Sequence, residues 1–135
     1  MVRHLFLKFK LIMMMCRSKR NGYCLATANY HTGVIAAAEY GLNPEVHIYK
    51  YPSKELIHKF KADSTIRCTD MIFSRDGRYL LMIGGIPDFR ISVFDLENNK
   101  KLNLGTDCKI PCKPADYKKA KFNPSNSKEF CILSN

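Results

Sequence analysis

The segment Arg75-Asp76-Gly77-Arg78-Tyr79-Leu80-Leu81-Met82-Ile83-Gly84-Gly85-Ile86-Pro87-Asp88-Phe89-Arg90-Ile91-Ser92-Val93-Phe94-Asp95 decides the fold. It reads as turn, strand, turn, strand. The Asp76-Gly77 pair leads into an apolar run from Tyr79 to Ile83. The glycines and Pro87 then turn the chain into an alternating run, with Phe89, Ile91 and Val93 on one face and Arg90 and Ser92 on the other. Asp-Gly and Gly/Pro pairs bounding short β-rich runs signal hairpins, because these residues supply the turn dihedrals that strands cannot.

Working outward, the same unit appears once earlier. Tyr23 to Ala28, Val34 to Glu39, Val46 to Tyr51 and Leu56 to Lys61 read as four short strands, separated by turns at Asn29–Gly33, Gly41–Pro44 and Pro52–Lys54. The cycle restarts with strands at Thr65 to Phe73, Tyr79 to Ile83, Phe89 to Asp95 and Lys100 to Leu104. Gly33 maps onto Gly77 and Gly41 onto Gly85, each 44 residues on, and Pro44-Glu45 maps onto Pro87-Asp88, 43 residues on. A third cycle opens after a longer loop: Lys119 to Asn126 echoes Met71 to Gly77, and Phe130 to Leu133 begins a second strand. Four strands per cycle at a period of about 40–45 residues is the signature of a WD-type propeller blade. The expected fold is therefore all-β: a partial WD40-type β-propeller of about two four-stranded blades plus the start of a third. Phe94-Asp95 stands where a Trp-Asp pair would close the third strand, and the chain has no tryptophan. Because such an arc cannot close on itself, a fragment of a larger propeller is expected.

The 135 residues carry a net charge of +10. Residues 1–21 hold six Lys/Arg and no acid, residues 22–111 hold eleven basic against ten acidic, and residues 112–135 hold five against two. The patterned body is close to neutral. A nucleic-acid surface wants its Lys/Arg clustered on the folded face, with stacking aromatics between them, so nucleic acid is disfavoured as a partner. Of the six cysteines, Cys16, Cys24, Cys68, Cys108, Cys112 and Cys131, only Cys108 and Cys112 are close, as C-x3-C. Zinc sites of this type need a second close pair. The expectation is reduced thiols, several buried on strands, and no metal. His47 and His58 read as solvent-face strand residues.

Residues 1–21 form an irregular basic and apolar lead-in, distinct from the propeller segment at 22–135. The apolar stretch from Leu5 to Met15 is broken by Lys8 and Lys10 and is too short for a membrane span, nor does a signal-peptide cleavage site follow it. No membrane association is expected.

Phosphate-cradling glycine loops, a G-x-S-x-G elbow and an H-E-x-x-H pair are all missing from the sequence. The acids Asp76, Asp88, Asp95 and Glu97 fall at turns, where short carboxylates bond nearby backbone N–H groups. No catalytic, cofactor-binding or metal residue is assigned and the chain is not expected to be an enzyme. Gly33, Gly41, Pro44, Asp76, Gly77, Gly85, Pro87, Asp88 and Asp95 are expected to act as structural turn residues.

Three matches in order carry a resemblance: Ala38-Glu39 with Asn43 to Ser53; Phe73-Ser74-Arg75-Asp76-Gly77-Arg78-Tyr79-Leu80 followed by Gly85-Ile86-Pro87-Asp88-Phe89; and Phe122-Asn123-Pro124-Ser125-Asn126. From about Tyr23 to Asn135 the chain resembles the N-terminal WD-repeat region of the cilia- and flagella-associated protein 43 and 44 family. That resemblance implies a scaffold of the ciliary or flagellar axoneme, located in the cytoplasm and cytoskeleton, which tethers a dynein motor to the doublet microtubule and supports cilium motility. It also implies axonemal partners: a sister WD-repeat protein and the dynein/tubulin complex. The family's long coiled-coil tail has no counterpart here, and Val93-Phe94-Asp95 departs from its usual aromatic pair. The alternative is an RNA-binding or translation-factor-like WD module using the basic ends around Arg17 to Arg20 and Lys113 to Lys121, whose binding would fall steeply with salt.

Overall fold

The computed structural model of the protein describes residues 22–104 and 112–135; the readings made for residues 1–21, Cys16 and Cys108 lie outside them. Ten strands run in chain order: β1 (Tyr23–Asn29), β2 (Val34–Glu39), β3 (Glu45–Lys50), β4 (Glu55–Lys61), β5 (Cys68–Phe73), β6 (Tyr79–Gly84), β7 (Ile91–Asp95), β8 (Lys100–Leu102), β9 (Tyr117–Asn123) and β10 (Asn126–Ser134). A 3-10 turn, Pro114–Asp116, precedes β9. The strands form three antiparallel meanders, β1-β2-β3-β4, β5-β6-β7-β8 and β9-β10. These are two complete blades and the first two strands of a third, packed face to face as in a propeller.

The strand period explains how the blades stack. Successive side chains of a strand point to opposite faces. In β6 every residue is buried, and its alternate residues enter different cores. Leu80 and Met82 join Phe73, Phe94 and Leu96 against Ala36, Ala38, Val46, Ile48 and Phe60 of the first blade. Tyr79, Leu81 and Ile83 join Phe89, Ile91 and Val93 against Ala120 and the flanking Tyr117, Phe122 and Phe130 of the third. A strand covered on both faces reads as a continuous apolar run, which is why Tyr79 to Ile83 lacks alternation. Phe60 and Phe94 stack across the first interface with ring centres 4.5 Å apart, a geometry worth about 0.5–1.5 kcal/mol beyond the area it buries. The last strands, β4 and β8, are largely exposed.

β3 and β4 each begin one residue before the expected start, at Glu45 and Glu55, and two strand starts differ by more. β5 begins at Cys68, three residues after the expected Thr65, because the Ser64–Arg67 backbone is taken up by loop contacts: Gly41 N–H donates to Ile66 O, Asn43 N–H to Thr65 O and Gly85 N–H to Arg67 O. β7 begins at Ile91, since Phe89 has φ 45° and its N–H closes the preceding turn on Gly85 O. Phe89 still buries its ring on the Ile91/Val93 side. The thiols also differ. Among the described cysteines only Cys68 is buried; Cys24 and Cys131 are exposed, and all four described are free. Burial first, with the Cys24 thiol adding to it, pushes the Cys68 thiol up to about 12. Among the described residues no helix is long and apolar enough to cross a membrane.

Candidate interaction surface

In an up-and-down meander alternate turns fall at the same end, so the blades present two rims. At one rim lie the β1–β2, β5–β6 and β9–β10 turns, linked hand to hand. Asn29 is buried at the end of β1. Its Oδ1 accepts from His31 N–H and Thr32 N–H, and its Nδ2 donates to Ser74 O at 2.9 Å and Arg75 O at 3.2 Å in the next blade. Ser74 is fully buried; its hydroxyl donates to Asp76 Oδ1 at 2.6 Å and accepts from Tyr79 N–H at 2.9 Å. Asp76 also accepts from Arg78 N–H. Desolvation works against its charged form, but hydrogen bonds from Ser74, from Ser127 of the third blade and from the Arg78 amide outweigh this and hold its carboxyl below the usual carboxylate range. Gly33 and Gly77 occupy this rim with φ 66° and 74°.

Asp95 ends β7 on the same rim. It is 3% exposed and caps its own turn, accepting from Glu97 N–H, Asn98 N–H and Asn98 Nδ2. Arg78 adds an ion pair to it at 3.4 Å and a second to Glu97 at 3.0 Å. The Asn98 side chain, outweighing the effect of burial, and then the Asn98 amide and Arg78, lower the Asp95 carboxyl below its ordinary value. This rim is braced from blade to blade by polar contacts.

The opposite rim carries Gly41, Pro44, Gly85, Pro87 and Asp88. The β2–β3 turn, the β4–β5 connection and the β6–β7 turn are stitched together there by the backbone bonds to Thr65, Ile66 and Arg67. Asp88 reaches the connection, accepting from Thr65 N–H at 2.6 Å and Thr65 Oγ1 at 2.5 Å. Asp63 holds the same connection to the second blade, accepting from Ser92 Oγ at 3.0 Å and ion-pairing with Lys101. Pro44 is buried and Pro87 exposed.

This rim offers several large apolar side chains to solvent. Leu42 is 74% exposed, Ile86 62%, Tyr40 49% and Ile66 38%, with Arg67 and Arg90 exposed among them. Leu42 and Ile86 each follow the turn glycine, Gly41 or Gly85, so consecutive blades repeat the same protruding aliphatic. A rigid plate of fused turns bearing large apolar side chains with cations at their edge has the composition of a protein-docking surface. The sequence reading passed over Leu42 and Ile86; their signal was an aliphatic directly after the turn glycine in both cycles. It also misplaced His47, which is buried rather than solvent-facing. His58 is half-buried and bonded to Asn99 across the blades at 2.9 Å.

Two four-stranded blades and a third begun, with fused turns on one rim and linked turns on the other, define a segment of a WD40-type β-propeller. The chain belongs to the CFAP43 N-terminal domain family, whose model matches residues 22–134. It is 28% identical over 106 residues to the mouse (Mus musculus) protein named cilia- and flagella-associated protein 43, a match covering 78% of this chain and 6% of the relative. The chain therefore spans a small part of that relative's length. Among solved structures it is similar to the Myceliophteria thermophila Cps50 (Swd1) β-propeller domain, with a TM-score of 0.62, 16% identity, and coverage of 87% of this chain and 33% of that one. At that identity the likeness concerns the fold alone.

Proposed function

We propose that this chain is a non-catalytic scaffold segment of the ciliary or flagellar axoneme that works by binding other proteins through the Tyr40/Leu42/Ile66/Ile86 rim. The observation that carries the reading is the repeated exposed aliphatic at Leu42 and Ile86 on turns that hydrogen bonds hold rigid. Rigid presentation matters because a docking surface that is already ordered loses less entropy on association. Family membership supports the ciliary setting, and a sister WD-repeat protein and the dynein/tubulin complex are the partners it suggests. On this reading the scaffold tethers dynein to the doublet microtubule. Gly33, Gly41, Pro44, Asp76, Gly77, Gly85, Pro87, Asp88 and Asp95 serve it as structural turn residues.

The test is a paired substitution, Leu42→Asp with Ile86→Asp, expressed in ciliated cells. Both side chains are already in water, so folding should change by less than about 0.5 kcal/mol each. Incorporation into axonemes and co-purification with dynein and tubulin should fall at least tenfold, on the order of 1.4 kcal/mol or more of lost binding. Normal incorporation of a folded double variant would remove this rim from the contact.

A further inference from the structure

The face of the first blade turned away from the second carries a polar cluster that none of the contacts above uses. Val46 and Ile48 of β3 point into the shared core, so Glu45 and His47 point the other way. Register sets Ala38 against Val46 and Ala37 against His47, which brings Glu39, at the end of β2, beside Glu45. His47 is 9% exposed as a residue and 11% over its side chain. Its Nε2 is buried and has no hydrogen-bond partner. That nitrogen looks into the gap between two carboxylates, 3.5 Å from Glu45 Oε2 and 3.9 Å from Glu39 Oε1. One ligand atom from each of the three residues lies within 4.8 Å of the others.

We propose that Glu39, Glu45 and His47 form a binding site for a divalent transition-metal ion, with zinc the best fit. In a tetrahedral zinc site with bonds of about 2.0–2.1 Å, neighbouring ligand atoms stand roughly 3.3–3.4 Å apart. The His47 separations of 3.5 and 3.9 Å are close to that, and the carboxylates would have to draw together around the ion. Imidazole with two carboxylates is a recognised zinc donor set that leaves one position for water. The ring is also held as a ligand's would be. The Tyr23 hydroxyl lies 2.7 Å from Nδ1 and 2.7 Å from the Tyr49 hydroxyl, and the rings of Tyr23 and Tyr49 flank the imidazole edge-to-face. In the tautomer whose Nδ1–H donates to the Tyr23 oxygen, the Nε2 lone pair faces the gap. Such a hydrogen bond on the far nitrogen orients metal-bound histidines generally.

The competitor is on the same face. Lys59, opposite His47 on β4, pairs with Glu45 Oε2 at 2.8 Å. Its side chain is 52% exposed, so it can swing into water when a doubly charged ion takes the carboxylate. A bound ion would join β2 to β3.

The test titrates the full chain with Zn2+ alone, and separately with Co2+ read by its visible spectrum, folding being checked by far-ultraviolet circular dichroism. We expect one ion per chain at this site, with Co2+ giving a tetrahedral d–d band and no sulfur-to-cobalt charge transfer. His47→Gln and Glu45→Gln should each weaken that binding at least tenfold. Lys59→Met leaves all three ligand residues in place and removes the competitor for Glu45, so it should tighten binding several-fold; this arm stands even where a ligand variant fails to fold. Absence of binding at micromolar Zn2+, binding unchanged in folded His47→Gln, or a charge-transfer band placing the ion on the thiols would each overturn the proposal. So would a Lys59→Met chain that binds no more tightly than the parent.

Discussion

Gly77 has φ 74°, and a Cβ built there would stand 2.6 Å from Thr32 Cγ2 and 2.8 Å from Thr32 Oγ1 of the neighbouring blade. Two effects therefore oppose any side chain: the left-handed backbone, at roughly 1–2 kcal/mol, and the clash with Thr32. They are separable. Gly77→Ala should lower stability by about 2–3 kcal/mol, and Thr32→Ala in the same chain should restore the steric part only. Gly22 has φ 84° with nothing within 4 Å of its added Cβ, so Gly22→Ala should show the backbone part alone. Urea unfolding of the three variants measures both parts; equal losses at Gly77 and Gly22 would mean that Thr32 gives way freely. Asp95 offers a pH test. Its carboxyl is lowered in the fold by Asn98 and Arg78, so on acidification the unfolded chain takes the proton first. The stability it contributes is complete above the unfolded value of about 3.9 and is lost as pH falls through and below it. Asp95→Asn should cost on the order of 1–2 kcal/mol at pH 7 and flatten the fall in stability between about pH 5 and pH 3. An unchanged acid slope in melts across that range would discard the assignment.

At the scale of the element, the strand faces decide which substitutions matter. Phe94 on β7 is 1% exposed and stacks on Phe60. Phe94→Ala should cost about 3–5 kcal/mol. Leu56 on β4 is 47% exposed, and Leu56→Ala should stay within about 0.5 kcal/mol. Thermal melts of the two variants compare them directly, and a near-neutral Phe94→Ala would contradict the stacked core. The pattern behind this contrast was largely legible: Val34–Glu39 matches the sequence reading at both ends, and every expected strand exists. The errors arose where tertiary contacts override local pattern. Thr65 belongs to an apolar-compatible run, yet its amide and hydroxyl are claimed by Asp88. Phe89 fits the alternation, but its positive φ belongs to the turn. Of the docking rim the turns were readable and the exposed side chains were not, because exposure at Leu42 depends on how Ser64–Arg67 folds back beneath it. His47 read as a solvent-face residue because it stands alone in the sequence; the two carboxylates that converge on it come from different strands, and register brings them together.

At the scale of the molecule the second blade is a shared wall. β6 sends Leu80 and Met82 to the first core and Tyr79, Leu81 and Ile83 to the second. In a linear array each unit is stabilised by its neighbours through such interfaces, and damage to one interface should travel to one side first. Adjacent positions on a single strand can test this, since Met82 and Leu81 are both fully buried and differ in the face they serve. Met82→Ala and Leu81→Ala should each cost about 2–5 kcal/mol. Hydrogen exchange read by mass spectrometry should then diverge. In Met82→Ala the amides of β2 and β3 should exchange faster while β9 and β10 hold; in Leu81→Ala the order should reverse. Loss of protection to the same degree in all three blades, whichever residue is cut, would show the arc to be one cooperative unit, with the two cores linked too tightly through β6 for either interface to open by itself.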